Sequence, residues 1–226
     1  MTITQAAPMR GRLRTFVATL LLAGVAASTA APVLGQSTSA VASADKSPVR
    51  VRVQTELGDI VLEVDPVRAP ITAANFLKYV DAGHYNRGTF HRSVKLDNQP
   101  ESPVKIEVIQ AGVSAEFAKS GFPRIPIERT SVTGLRHTDG VVSMARGAPD
   151  SASSGWFICL NDQPSLDFGG TRNPDGQGFA AFGRVISGMD VVRKIQAAPT
   201  SINRSTNAEA QRLTPPVKIL KVGRVN

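Results

Sequence analysis

The chain has 226 residues, a formal net charge of +8 and a single cysteine. This length accommodates one domain with a sizeable core, and a lone thiol excludes an internal disulfide framework. The lysines and arginines are scattered and mostly alternate with apolar residues, and no basic-aromatic stripe appears, which argues against a nucleic-acid-binding surface.

At the N-terminus, Arg10, Arg12 and Arg14 precede the apolar run Phe16 to Ala27, and small residues follow. This is the order of a secretory signal, and the run falls short of the ~20 residues of a membrane span. Residues 1–35 are read as a signal peptide. Cleavage after Ala30, Gly35 or Ala42 fits the sequence, and an uncleaved anchor is the alternative. Removing the three leader arginines leaves a charge of +5 (8 − 3). Residues 36–48, rich in Ser, Ala and charge, read as a flexible linker, and residues 49–226 as the folded domain. The mature protein is expected to be exported, periplasmic or secreted, without stable membrane insertion after cleavage.

Val49, Val51 and Val53 alternate with Arg50, Arg52 and Gln54, which predicts a half-buried strand. Leu57-Gly58-Asp59 is a turn signal, and Ile60 to Val64 completes a hairpin. Pro70 opens a helix whose apolar positions are Ala73, Phe76, Leu77 and Val80, and Gly83 ends it. Further strands are predicted at Thr89 to Val94, Val104 to Gln110, Gly140 to Ala145, Gly155 to Leu160, Phe179 to Val185 and Val217 to Val222. Ser187-Gly188-Met189-Asp190 has the spacing of a capping box and predicts a second helix through Val191, Val192 and Ile195. Many short strands with two helices point to a β-barrel or sandwich with helices over the open ends. Lys95 to Pro103, Gly169 to Gly178 and Thr200 to Thr214 read as polar loops, the last as a surface excursion.

Most catalytic chemistries are disfavoured. His84, His91 and His137 lack metal-ligand spacing. Cys159 lies in the apolar run Trp156 to Leu160, as a buried hydrophobe rather than a reactive thiolate. There is no P-loop or Rossmann glycine pattern, and Asn173-Pro174-Asp175-Gly176 lacks the spacing of an EF-hand. No metal or other cofactor is expected. What remains is an arginine at Phe90-His91-Arg92 and an aromatic at Gly155-Trp156-Phe157-Ile158. An apolar ring held beside a guanidinium suits rotation about an Xaa-Pro peptide bond, which needs no nucleophile. In this reading Phe90 and Arg92 serve one pocket, and His91, alternating with them, faces away from it. Spacing alone also fits a surface strand arginine for Arg92, a core residue for Phe157 and a plain strand residue for Gln110.

Five runs in order settle the choice. "GDIVLEVDPVRAPITAANFLKYVDAGHYNRGTFHR", "VIQAG", "GVVSMAR", "SASSGWFICLNDQPSLD" and "GFAAFGRVISGMDVVRKI" resemble the cyclophilin family of peptidyl-prolyl cis-trans isomerases, from about Val49 to Ile195. The resemblance implies a mainly β fold: a closed eight-stranded antiparallel barrel capped by two helices. It implies an isomerase of proline-containing polypeptides, acting as a monomer with no nucleic-acid partner and assisting the folding of exported proteins. Residue by residue, it assigns the catalytic arginine to Arg92, the ordering glutamine to Gln110 and the aromatic floor of the proline pocket to Phe157. Val108, Leu166 and Phe179 fall at pocket-wall positions, and Ala145 and Arg146 on the segment that pairs with the bound peptide. Departures accompany it. About ten residues are inserted within 95–106. Glu107 stands where the family has a pocket phenylalanine, Gly155 where a second glutamine is usual, and Ser165 where many members have tryptophan. Phe179 replaces the histidine of those members. Ile106 or the inserted loop is a candidate for the missing apolar surface. The alternative is a cyclophilin-fold peptide-binding module with little or no turnover.

Overall fold

The computed structural model describes residues 47–225. The signal assigned to 1–35 and linker residues 36–46 lie outside the described residues, so the structure does not bear on them. No helix among the described residues is long and apolar enough to cross a membrane.

The alternating valines form β1 (Val49–Thr55), with Val51 and Val53 fully buried and Arg50 and Arg52 exposed. It turns into β2 (Gly58–Val64) at Gly58, whose φ of +127° disfavours any side chain; an added Cβ would also lie 2.9 Å from Val191. Helix α1 (Pro70–Asp81) starts at proline and buries Ala73, Phe76, Leu77 and Val80. Then follow β3 (Thr89–Val94), β4 (Val108–Gly112), the single-turn α2 (Thr130–Thr133), β5 (Val141–Met144), β6 (Trp156–Cys159), β7 (Ala180–Ser187), α3 (Met189–Ala197), the single-turn α4 (Asn207–Ala210) and β8 (Arg212–Val225). Two 3-10 turns, Ala115–Phe117 and Pro164–Leu166, complete the set.

The strands close into an antiparallel barrel in the order β1-β2-β7-β5-β6-β4-β3-β8. This is the expected architecture. Closure removes every free sheet edge. Helix α1 packs against β7 and β8, and α3 against β2, β3 and β4. The core is aromatic: Phe76 of α1 meets Trp156, Tyr85 and Phe182 with ring centroids 5.0–5.7 Å apart.

Four local expectations change. The entry to α3 is no capping box, because Gly188 is the N-cap at φ 91° and no side chain caps the helix. Glycine is required there because a Cβ would collide with the Asp59 carbonyl. Strand β4 begins at Val108 rather than Val104. Upstream, the buried Gln99 side chain bonds both the N–H and the carbonyl of Ile106 in place of a strand partner. Strand β8 begins at Arg212, well before Val217, since Pro215 and Pro216 hide it from any pattern. Finally, 200–214 is more than a surface excursion. Ala210, Gln211 and Leu213 are buried, and the stretch is tied to the 95–106 insertion. Asn207 and Glu101 exchange two hydrogen bonds (3.1 and 2.7 Å), and Asn98 donates to the Ala210 carbonyl.

Candidate active site

The site lies where β3, β4 and β6 run side by side. Arg92 pairs with Gln110, and Gln110 with Phe157, so the three side chains share one face. Phe90, Ala111 and Trp156 form the next row and point into the barrel, where Trp156 and Phe90 are fully buried. Two residues apart on a regular strand, Phe90 and Arg92 would share a face. A bulge between them reverses this. The expected pairing of Phe90 with Arg92 in one pocket is therefore corrected: Phe90 belongs to the core. So is the expectation for His91. As the bulged residue it lines the same groove as Arg92. Burial, and secondly the Arg92 charge, hold its pKa below the usual histidine value, so it is neutral at pH 7.

Arg92 is held by two amides. Its Nη1 donates to Gln110 Oε1 at 2.8 Å. Its Nε and Nη2 both donate to Gln211 Oε1, at 2.8 and 2.6 Å. Gln211 is itself fully buried and donates to the Asn98 carbonyl at 3.1 Å. Further guanidinium N–H groups remain for a ligand. Burial, then the neighbouring Arg172 charge, pushes the Arg92 pKa down to about 10, still charged at neutral pH. Among the described residues no carboxylate pairs with Arg92, so its charge is available to a ligand. Gln211 was not legible beforehand: it lies in a polar stretch with no periodicity, and only the pairing of the two loops brings it to the arginine.

Phe157 anchors a second apolar cluster outside the main core, with Val94, Ile106, Val108, Cys159 and Leu166. Ala145 and Phe179 pack against it, and the Phe157 and Phe179 rings meet edge-on at 5.4 Å. Val108, Ala145, Leu166 and Phe179 thus gather around Phe157. Ile106 supplies the apolar surface that Glu107 lacks. Glu107 accepts from Asn161 and Gln196, at 2.8 and 3.1 Å, and is not part of the apolar wall. Gly155 leaves room beside the site: a Cβ there would lie 3.4 Å from Ala145 and 3.8 Å from Gln110. Arg146 uses its side chain structurally. It clamps Asp175 (2.8 and 2.9 Å), donates to the Gly178 carbonyl and lies 5.1 Å from the Phe179 ring centroid. Cys159 is buried, and burial raises its thiol pKa far above the ordinary value, as expected of an inert thiol.

A Ser–His–Asp chain sits alongside Phe157. His137 is within hydrogen-bonding distance of Asp167 (2.7 Å) and Ser143 (2.9 Å), and its ring stacks on Phe157 with 14° between planes. Ser143 and His137 are 0% and 1% exposed, so no substrate reaches the hydroxyl. The chain packs against the Phe157 ring and, being buried, is closed to hydrolytic chemistry. Burial raises the Asp167 pKa, but the His137 hydrogen bonds outweigh it and the net value falls below 3.8.

With this geometry in view, comparison with known proteins is decisive. The model of the family "Cyclophilin type peptidyl-prolyl cis-trans isomerase/CLD" matches residues 50–224. The chain is a cyclophilin. It is 38% identical over 174 residues to a peptidyl-prolyl cis-trans isomerase of Acinetobacter baylyi, covering 76% of this chain and 83% of that one. Against peptidyl-prolyl cis-trans isomerase B of Escherichia coli the identity is 36%, with 66% and 85% covered. A crystal structure of a cyclophilin type isomerase from Cryptosporidium parvum matches this cyclophilin with a TM-score of 0.61 at 20% identity, covering 79% of this chain and 98% of that one. At that identity the likeness concerns the fold alone. A second Cryptosporidium parvum structure, obtained in the presence of the dipeptide Ala-Pro, matches with the same score.

Proposed function

We propose that this cyclophilin catalyses cis/trans rotation of Xaa-Pro bonds in exported, incompletely folded chains, as a monomer outside the cytoplasm. The observation that carries the isomerase reading is the Arg92 guanidinium, fixed by Gln110 and Gln211 next to the apolar cluster around Phe157. The isomerase names of its relatives and the Ala-Pro dipeptide of a fold relative agree with it. The extracytoplasmic reading is supported by the leader sequence alone.

Resonance stiffens the peptide C–N bond and sets a barrier of ~18–20 kcal/mol. Twisting the bond localises the lone pair on the proline nitrogen. A guanidinium N–H directed at that nitrogen stabilises the twisted state more than either planar one, which is the condition for catalysis. Lowering the barrier by about 7 kcal/mol yields roughly a 10⁵-fold gain. Phe157, walled by Val108, Leu166 and Phe179, grips the ring while the preceding carbonyl turns. Gln110 orients Arg92 and meets the peptide backbone, and the Ala145–Arg146 backbone pairs with it.

The deciding assay is isomerisation of a short Xaa-Pro peptide by the purified protein. Binding without acceleration would establish a peptide-binding module instead. Mass spectrometry of cell fractions tests export: the expected product is extracytoplasmic and begins after residue 30, 35 or 42, and intact chain in the membrane fraction would establish the anchor.

A further inference from the structure

We infer that the 95–106 insertion braces both halves of the site, Asn98 positioning the Arg92 guanidinium and Gln99 positioning the apolar wall at Ile106. The inference rests on the isomerase reading for its substrate. Both residues lie outside the positions that the family resemblance assigns.

Asn98 and Gln99 are buried, at 0% and 1% exposure. A buried amide needs its hydrogen bonds met, and these two neighbours find them in different parts of the site. Asn98 Nδ2 donates to the carbonyl of Ser93, the residue after Arg92 on β3, at 2.9 Å. It also donates to the Ala210 carbonyl at 3.3 Å, and Asn98 Oδ1 accepts the Lys95 N–H at 2.7 Å. These bonds hold the Asn98 carbonyl where it accepts from Gln211 Nε2 at 3.1 Å. Ser93 closes the ring, its N–H donating to the Gln211 carbonyl at 2.9 Å. Gln211 is thus fixed at side chain and backbone, and its Oε1 takes both Nε and Nη2 of Arg92. Asn98 acts on the guanidinium through Gln211.

Gln99 serves the other half. Its Nε2 donates to the carbonyls of Lys95 and Ile106 at 2.8 and 2.9 Å. Its Oε1 accepts the Ile106 N–H at 3.2 Å and Arg172 Nη1 at 2.9 Å. Every donor and lone pair of the amide is used. Held in this way, Ile106 joins Val94, Val108, Phe157 and Leu166 in the apolar cluster. The two arms have separable consequences. Loss of Asn98 loosens a charge that matters most in the twisted state, whereas loss of Gln99 loosens a wall that grips the ring in every state.

The test sets Asn98→Ala beside Gln99→Ala, with kcat and KM measured separately on a short Xaa-Pro peptide. Asn98→Ala should lower kcat about fivefold, the scale of one net hydrogen bond, and leave KM within about twofold. Gln99→Ala should raise KM about fivefold with kcat nearly unchanged. In a Gln211→Leu background, Asn98→Ala should cost no further kcat, because the two act in series. The NMR signal of the Arg92 Nε–H gives a readout independent of turnover. Asn98→Ala should move it toward its position in Gln211→Leu, and Gln99→Ala should not. Where an alanine variant fails to fold, Asn98→Asp and Gln99→Glu, which keep the acceptor oxygens, are read in the same way. The same change of kcat and KM in both variants, or an undiminished effect of Asn98→Ala without Gln211, would overturn the brace. If the wild-type protein isomerises no peptide, the isomerase reading fails, and the Nε–H signal with calorimetric peptide affinity still decides the brace.

Discussion

Arg92 and Gln211, 119 residues apart, meet through two hydrogen bonds to a single amide oxygen, and that oxygen aims the guanidinium. Gln211→Leu should lower kcat/KM about tenfold, or ~1.4 kcal/mol, mainly through kcat. Gln211→Glu keeps the acceptor but neutralises the arginine. It should slow turnover as well and lower the melting temperature, because the carboxylate cannot donate to the buried Asn98 carbonyl. Full activity in the Glu variant would show that Gln211 merely packs.

Arg92 itself should be indispensable. Arg92→Ala is expected to reduce kcat/KM at least tenfold. Arg92→Lys should be nearly as poor, because an ammonium cannot reproduce the fork that spans Gln110 and Gln211. Stopped-flow isomerisation of a short peptide checks both, and circular dichroism confirms folding.

Phe157 is 5% exposed and sits in its own apolar cluster. Phe157→Ala should cost roughly 3–5 kcal/mol of stability besides activity. Urea unfolding measures the first. An unchanged midpoint would mean that the ring contributes nothing to the barrel wall.

The rate should be flat in pH. Arg92 stays charged up to about 10 and His91 titrates below 6.5, so kcat/KM for an uncharged peptide should be constant from about pH 7 to about pH 9. A limb inside that window would reveal an ionising acid or base and would rule out a mechanism resting on Arg92 alone.

Acid stability should depend on the His137–Asp167 pair. The folded Asp167 pKa lies below 3.8, so its contribution is present above that value and lost as pH falls through the folded one. Asp167→Asn should lower the melting temperature at neutral pH and weaken its decline below about pH 4.

The barrel was legible because valine alternation, a proline-started helix and glycine turns are local signals, and β1, β2, α1 and β3 match them closely. The family resemblance singled out Arg92, Gln110 and Phe157, and these three lie in adjacent registers of β3, β4 and β6. What escaped reading is non-local. No pattern reports the bulge that sends Phe90 inward and leaves His91 in the groove with Arg92. Nor does any reveal that Asn98 and Gln99 replace strand bonding for the insertion, or that Gln211 reaches across to the arginine. In each case an amide or a register slip does its work through residues distant in sequence.

The position of β8 has a consequence for the order of assembly. Strand β8 fills the gap between β1, at the other end of the described domain, and β3. Its pairing with β1 spans nearly the whole domain, so loop-closure entropy opposes it until the end. Gln211 arrives immediately ahead of that strand. A chain in which β8 is not yet docked therefore lacks both a closed barrel and an aimed arginine. Catalytic competence should therefore follow the docking of β8, and recovery of activity can serve as a clock for the folding of the enzyme itself.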